Sequence, residues 1–155
     1  MRYAEDANYW TTTVHPAVSQ GEISELLDNF GASAVMVMQG QSNGKYAWMI
    51  RFQWQEKSYR FAFTPLTCKN PEKVISFSGK KRSAADQSRY QMGRIAIHFV
   101  KAILTAAEAN PAALFGFLEL PGVRNGSMPV TAAELDVDEL TGALPDINVL
   151  YLNEG

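Results

Sequence analysis

The chain has 155 residues, a formal net charge of −2 at pH 7, 46% hydrophobic residues and 19% charged residues. This length accommodates one hydrophobic core, and the composition excludes a wholly disordered chain or a fibrous repeat. The longest nearly uncharged run, residues 102–118, is interrupted by Glu108 and Pro111, so we expect no membrane span and no membrane partner. The single cysteine, Cys68, cannot form an internal disulfide, which favours the cytoplasm.

The first predicted helix begins at Ser19 and ends at Gly31. Ser19 and Glu22 have the spacing of a capping box, in which each side chain satisfies a free backbone amide of the other. Glycine is the usual residue just after a helix, because it adopts a left-handed conformation at little cost. The apolar residues Ile23, Leu26, Leu27 and Phe30 fall on one face of this helix.

Three antiparallel strands follow, because the hydrophobic period changes from helical to alternating. We predict strands at Ala34 to Gln39, Lys45 to Gln55 and Ser58 to Phe63, with a loop from Gly40 to Gly44 and a turn at residues 56 and 57. This turn predicts the cross-strand pairs Trp54 with Tyr59, Phe52 with Phe61, and Ile50 with Phe63. All the bulky apolar side chains then lie on one face, which indicates a core rather than a base-stacking surface.

A longer helix is predicted from Ser83, whose hydroxyl and the Asp86 carboxylate form a second capping pair, to about Ala109. Asn110 and Pro111 predict the start of a short helix. The longer helix is expected to carry one continuous polar stripe, opposite an apolar face that packs on the sheet. The stripe consists of Gln87, Gln91, Arg94, His98, Lys101, Thr105 and Glu108.

The predicted fold class is α+β, a three-stranded antiparallel meander with helices packed on one face, in the order helix, three strands, helix, short helix, acidic helix. Residues 1–120 are expected to form a single domain, residues 121–130 a link rich in Pro and Gly, and residues 131–155 an acidic helical tail. The tail helix is predicted to begin at Thr131 with Glu134 as its capping partner.

The charges are strongly segregated along the chain. Residues 45–101 carry twelve cations and three anions, a net +9, whereas residues 1–44 carry −4 and residues 102–155 carry −7. Such asymmetry indicates either a polyanionic partner or an intramolecular charge match. Three consecutive cations, Lys80 to Arg82, directly precede the predicted helix start at Ser83, where backbone amides also favour a phosphate.

The leading hypothesis is a non-enzymatic domain that binds the phosphates of RNA or DNA through its basic central segment. An engagement of six to ten phosphates predicts an affinity loss of about 10³ to 10⁵ between 50 and 200 mM salt. An ordinary solvated basic surface is the alternative for Lys80 to Arg82. The candidate phosphate-contacting residues are Lys80, Lys81, Arg82, Ser83, Arg89, Arg94 and Lys101, with Lys45, Arg51 and Arg60 extending the surface across the outer sheet face.

Two further hypotheses come from other classes of protein. The acidic run from Glu134 to Glu139 and the apolar run from Ile147 to Leu152 suggest a protein-binding adaptor or inhibitor that acts through its tail. A small hydrolase using His98 is the third. No cofactor is indicated, and two histidines with one cysteine offer no metal site.

The order helix, three strands, helix, with a lysine pair at the second helix, resembles the double-stranded RNA-binding domain in arrangement over residues 19 to about 105. The resemblance implies that Lys80 and Lys81 touch phosphates and that Gly40 to Gly44 match the loop that enters a minor groove. The family's Gly-Pro-x-His loop is missing, and nearly twenty residues separate the third strand from the helix. The resemblance therefore concerns topology.

Overall fold

The computed structural model describes residues 2–42, 44–120 and 129–134. It confirms the predicted α+β fold, with a three-stranded antiparallel sheet whose strands lie in chain order and with the predicted order of helices. Short 3-10 helices lie at Ala4–Asp6, Pro111–Phe117 and Ala132–Glu134. The remaining elements are α1 (Pro16–Phe30), β1 (Ser33–Ser42), β2 (Lys45–Trp54), β3 (Lys57–Phe63), β4 (Val74–Phe77), β5 (Lys80–Ser83), α2 (Ala84–Ala109), β6 (Glu119–Leu120) and β7 (Val130–Thr131).

Helix α1 begins one turn earlier than predicted. The His15 ring caps it, because Nδ1 accepts a hydrogen bond of 3.0 Å from the Ala17 amide, and Pro16 occupies the first helical position. Ser19 is therefore not a cap but a buried residue inside the helix. The predicted end is confirmed, since Gly31 is left-handed with φ 98°.

The sheet register differs from the predicted one by two residues. Gln55 and Glu56 form the turn, both with positive φ, so Phe52 faces Tyr59 and Ile50 faces Phe61. A shift of two leaves every side chain on its predicted face, because side chains alternate along a strand. The prediction of one apolar face is therefore confirmed. Strand β1 also runs through Ser42, where a loop from Gly40 was predicted.

The core lies between this apolar face and the two long helices. Trp48, Ile50 and Phe52 from β2 and Phe61 from β3 are at most 1% exposed. They pack with the helical residues Ile23, Leu27, Met92, Ala96 and Val100. Burial of each large apolar side chain contributes about 1.5–3 kcal/mol to folding, so this layer accounts for the arrangement of helices on one sheet face.

A hairpin that the sequence did not reveal separates β3 from α2. Strands β4 and β5 pair across a turn at Ser78 and Gly79, which have φ of 54° and 77°. The cations Lys80 to Arg82, predicted to lie at the helix start, instead form strand β5. Ser83 is confirmed as the cap of α2, with its Oγ accepting a 3.1 Å hydrogen bond from the Asp86 amide.

Two glutamine side chains of α2, Gln87 and Gln91, bind backbone carbonyls of the N-terminal segment, residues 4–12, and hold this segment against the helix. Gln91 Nε2 donates to the carbonyls of Ala4 at 2.8 Å and Asn8 at 3.0 Å. Both Gln87 and Gln91 are fully buried, so the continuous polar stripe predicted for this helix was wrong in its first two turns. The stripe is exposed at His98, Lys101, Thr105 and Glu108.

Asn110 caps the 3-10 helix that replaces the predicted short helix, since its Oδ1 accepts a 3.1 Å hydrogen bond from the Ala112 amide. Strand β7 pairs with β6, which places Thr131 in a strand rather than at a helix start. Residues 121–128 of the predicted link and residues 135–155 of the predicted tail lie outside the described residues. In the described part of the chain, no helix has the length and apolar character needed to cross a membrane.

Helix α1 and the sheet both pack closely against α2 at Gly93. A Cβ atom there would lie 2.8 Å from Ser19 Oγ and 3.3 Å from Trp48 Cη2. We expect Gly93→Ala to destabilise the fold by about 1–3 kcal/mol, because the buried neighbours have no space to move. Gly21→Ala is the matched control, since no atom lies within 4 Å of its added methyl, and it should stabilise α1 by up to about 1 kcal/mol. Urea denaturation measures both, and a neutral Gly93→Ala would contradict the close packing.

The Glu5 carboxylate gives the fold a defined acid sensitivity. Burial opposes its ionisation, but hydrogen bonds from the amides of Lys69 at 2.9 Å and Asn70 at 3.4 Å outweigh burial and lower the pKa of Glu5 below its usual 4.5. A lowered pKa contributes stability that is complete above the unfolded value and is lost as the pH falls through the folded value. Glu5→Gln should therefore destabilise the protein at pH 7, and this difference should shrink between about pH 5 and pH 3.

Denaturation midpoints across this pH range test the role of Glu5. The matched control is Glu25→Gln, a change on the exposed face of α1. A Glu5→Gln variant with the same pH profile as the native chain would show that the amide contacts do not stabilise the carboxylate.

Candidate functional site

A cleft of ≈ 720 Å³ opens where the first turns of α1 and α2 meet strand β5 and the sheet. We call it the basic cleft, because four cations line it: Lys80 and Lys81 from β5, Arg82 from the end of β5, and Arg89 from α2. The other walls carry two tyrosines and two glutamines, namely Tyr46, Tyr90, Gln20 and Gln39. Three separate segments of the chain thus converge on one concave surface.

The two arginines of the basic cleft lie on aromatic faces. The guanidinium carbon of Arg82 is 3.9 Å from the ring centre of Tyr90, and that of Arg89 is 4.3 Å from the ring centre of Tyr46. Such cation–π contacts fix the plane of a guanidinium while its N–H edge stays available. Lys80 and Lys81 are exposed, whereas Arg82 and Arg89 are partly buried, so the lysines lie nearer to solvent than the arginines.

Gln87 joins three parts of the cleft region with one buried amide. Its Oε1 accepts a 2.6 Å hydrogen bond from Arg82 Nη1, which fixes the end of the hairpin to α2. Its Nε2 donates to the carbonyls of Trp10 and Thr12, both at 2.7 Å, which fixes the segment that leads into α1. The position of the walls therefore depends on this side chain.

A chain of hydrogen bonds orients Tyr46 in the opposite wall. Trp48 Nε1 donates to the Tyr46 hydroxyl at 2.7 Å, and that hydroxyl donates to Gln39 Oε1 at 3.2 Å. Gln20 Nε2 donates to the same Gln39 oxygen at 3.1 Å, which ties α1 to the sheet. The Tyr46 ring beneath Arg89 is therefore held by the core through Trp48, which is fully buried.

The balance of charge in the basic cleft favours an anion. Asp86 also lines it, with Oδ1 4.0 Å from Arg89 Nη1, a distance that gives a weak exposed ion pair. Among the described residues, no carboxylate lies within 4.0 Å of the ammonium groups of Lys80 and Lys81. Four cations against one carboxylate give the cleft a positive potential although the whole chain is negative.

The other sequence-predicted residues do not line this cleft. Arg94 pairs with Glu22 at 3.1 Å between the two helices. Arg51 pairs with Glu119 through both carboxylate oxygens, at 2.7 and 2.9 Å, and these contacts raise the pKa of Arg51. We therefore leave Arg51 and Arg94 out of the candidate interface.

Arg60, expected to extend the surface across the outer sheet face, is 4% exposed and pairs with Glu134. Because this side chain is buried and already paired, it cannot bind a phosphate. Lys45 and Lys101 are exposed but do not line the cleft, and Ser83 is occupied as the cap of α2. The predicted patch is therefore divided: four of its ten residues line one cleft.

Neither His98, the residue of the hydrolase hypothesis, nor the single cysteine is arranged for catalysis in the described residues. The His98 ring stacks on Tyr9 with 4.8 Å between ring centres, and no hydrogen bond joins it to a carboxylate in the described residues. Burial raises the pKa of the Cys68 thiol, which disfavours the nucleophilic thiolate. Within residues 2–42, 44–120 and 129–134, no group of three or more His, Cys, Asp and Glu side chains is placed to hold a metal ion.

Sequence reasoning did not identify Tyr46, Tyr90 and Gln87 as cleft residues. Tyr46 continues the alternation of the apolar sheet face, and Tyr90 directly follows Arg89, so both were consistent with packing. Gln87 carried a weak signal, because Gln87 and Gln91 are uncharged polar residues one turn apart. The backbone carbonyls that they bind lie 75 to 87 residues away in the chain, which local spacing does not reveal.

The chain matches no protein-family model, no curated protein and no solved structure. The residues of the basic cleft and their geometry are the basis of the function proposed below.

Replacement of Gln87 tests the architecture of the cleft. We expect Gln87→Leu, which retains most of the volume, to destabilise the fold by at least about 2 kcal/mol, because backbone carbonyls and the Arg82 guanidinium lose their partner. Gln53→Ala, a change at an exposed position of β2, should stay within about 0.5 kcal/mol of the native chain. Chemical denaturation measures both free energies of unfolding, and equal values for the two variants would show that Gln87 does not hold the walls together.

Proposed function

We propose that this protein is a non-enzymatic nucleic-acid-binding domain that holds phosphates of the backbone in the basic cleft. The single observation that carries the proposal is the convergence of Lys80, Lys81, Arg82 and Arg89 on one concave surface. Backbone phosphates are the part of a nucleic acid that lysine and arginine bind without regard to sequence. A cytoplasmic location, predicted from the single cysteine, belongs to the same proposal.

The arrangement of the arginines supports a phosphate ligand. A guanidinium presents a planar row of N–H donors that matches two oxygens of one phosphate, provided that its plane is fixed. Tyr90 and Gln87 fix the plane of Arg82, and Tyr46 fixes that of Arg89. Both side chains therefore lose little conformational entropy when an anion binds.

The acidic net charge does not conflict with this function, because binding depends on the local potential. The carboxylates of the flanking segments neutralise arginines outside the cleft: Glu22 pairs with Arg94, and Glu119 with Arg51. The four cleft cations face one carboxylate, that of Asp86, and the net negative charge of the rest of the chain limits how much of a polyanion the protein contacts.

The affinity should depend on salt less steeply than the sequence alone predicted. Four phosphate contacts in place of six to ten give an affinity loss of about 50- to 150-fold between 50 and 200 mM salt. Fluorescence anisotropy with a labelled 20-mer, offered both as a single strand and as a blunt duplex, measures this slope. Binding of either form with this salt dependence supports the proposal, and no binding of either form at 50 mM salt refutes it.

A pair of double variants locates the interface. Lys80→Ala with Lys81→Ala should lower the salt slope of log Kd by about 1.5 to 2, because two phosphate contacts are lost. Lys57→Ala with Lys101→Ala removes the same charge from exposed positions outside the cleft, and should leave the slope nearly unchanged. Equal losses in both double variants would assign the binding to net charge rather than to the cleft.

The adaptor or inhibitor hypothesis depends on the acidic and apolar runs of the tail. Residues 135–155 lie outside the described residues, so no contact of these runs supports it. The described start of the acidic run contributes one ion pair, from Glu134 to Arg60, on the sheet face opposite the helices. A protein partner of the tail stays a prediction.

A further inference from the structure

We propose that the basic cleft accepts a single strand of nucleic acid and excludes a duplex. This inference depends on the proposed function, since it names the form of nucleic acid that the same site takes. It differs from the implication of the topological resemblance to the double-stranded RNA-binding domain, in which the lysines lie at a helix start. Here Lys80 and Lys81 lie on a hairpin strand that forms one wall of a cleft.

The size of the cleft is the first argument. A volume of ≈ 720 Å³ corresponds to a cube about 9 Å wide, which is narrower than a duplex, since the major groove of a duplex alone spans about 12 Å. The volume lies within the range of about 300–1,000 Å³ that pockets for small organic ligands have. One or two nucleotides of an extended strand fit such a space, whereas a base-paired cylinder stays outside it.

The depth of the cations is the second argument. Lys80 and Lys81 are exposed and can reach a phosphate of a single strand or of a duplex. Arg82 is partly buried on the Tyr90 ring and bonded to Gln87, so a phosphate must enter the cleft to meet its remaining N–H donors, whereas the Arg89 side chain is 43% exposed. A duplex would then miss Arg82, whereas a single strand that enters the cleft meets all four cations.

The polar lining is the third argument. Asp86 is exposed at the cleft, and the Gln20 and Gln39 side chains lie in its wall. Amides and carboxylates bind the hydrogen-bonding edges of bases, which are free in a single strand but paired with each other in a duplex. Tyr46 and Tyr90 each hold a guanidinium against one ring face, so these rings serve a bound strand by orienting Arg89 and Arg82.

Binding of three probes to the native full-length chain tests the inference. The probes are a labelled mixed-sequence 20-mer single strand, the same sequence as a blunt duplex, and unlabelled AMP as a competitor, all at 50 mM salt. We expect the single strand to bind at least about tenfold more tightly than the duplex, although the duplex has the higher charge density. We expect AMP to compete only at concentrations about 100-fold above those of the unlabelled strand, because it carries one phosphate.

A matched pair of variants connects the preference to the cleft. Tyr90→Leu removes the ring beneath Arg82, and should weaken single-strand binding about fivefold or more while changing duplex binding less than twofold. Tyr90→Phe keeps the ring and should bind the single strand like the native chain. Thermal melting of both variants establishes that they are folded.

Four results would contradict the inference or the proposed function. Equal or tighter binding of the duplex overturns this inference and leaves the proposed function standing. Displacement of the strand by AMP at equal concentration also overturns it, since the site would then bind a mononucleotide rather than a strand. A folded Tyr90→Leu variant with native single-strand affinity would place the preference outside the cleft. Absence of binding by both forms removes the proposed function together with the inference.

Discussion

The buried amide of Gln87 is the interaction on which the candidate site depends. One side chain accepts from Arg82 and donates to two carbonyls of the segment before α1, so it joins the hairpin, the N-terminal segment and α2. A buried amide with all its hydrogen bonds made is more specific than an apolar contact, because any displacement leaves polar groups unpaired in a dry environment. The walls of the basic cleft therefore have one defined relative position.

The ion pairs explain how a chain of net negative charge can carry a positive site. The flanking acidic segments supply Glu22, Glu119 and Glu134, and each pairs with an arginine of the basic central segment. The intramolecular charge match and the proposed polyanionic partner are thus not alternatives. Part of the central positive charge is neutralised within the fold, and the cations of β5 and of the first turns of α2 line the cleft.

An error of the sequence-based prediction changed the predicted burial of side chains in helix α2 but not in the sheet. The sequence placed the β2–β3 turn one residue too late, and the register was wrong by two, yet every side chain kept its face. In helix α2 the spacing of polar residues did not predict their burial, because a helical position is buried or exposed according to what packs against it. Gln87 and Gln91 follow the spacing of an exposed stripe, but the N-terminal segment covers them. Gln87 and Gln91 are buried because a segment far away in sequence, residues 4–12, packs against them.

The sequence by itself determined the fold class, the order of the three strands and two long helices, the apolar sheet face, and the caps at Ser83 and Gly31. Those features follow from periodicity and capping, which are local. Only the tertiary structure decided which cations stay available: Arg51, Arg60 and Arg94 meet carboxylates, whereas Lys80 to Arg82 and Arg89 meet at a cleft. The physical reason is that the availability of a charge depends on its neighbours in space, and long-range packing brings those neighbours together.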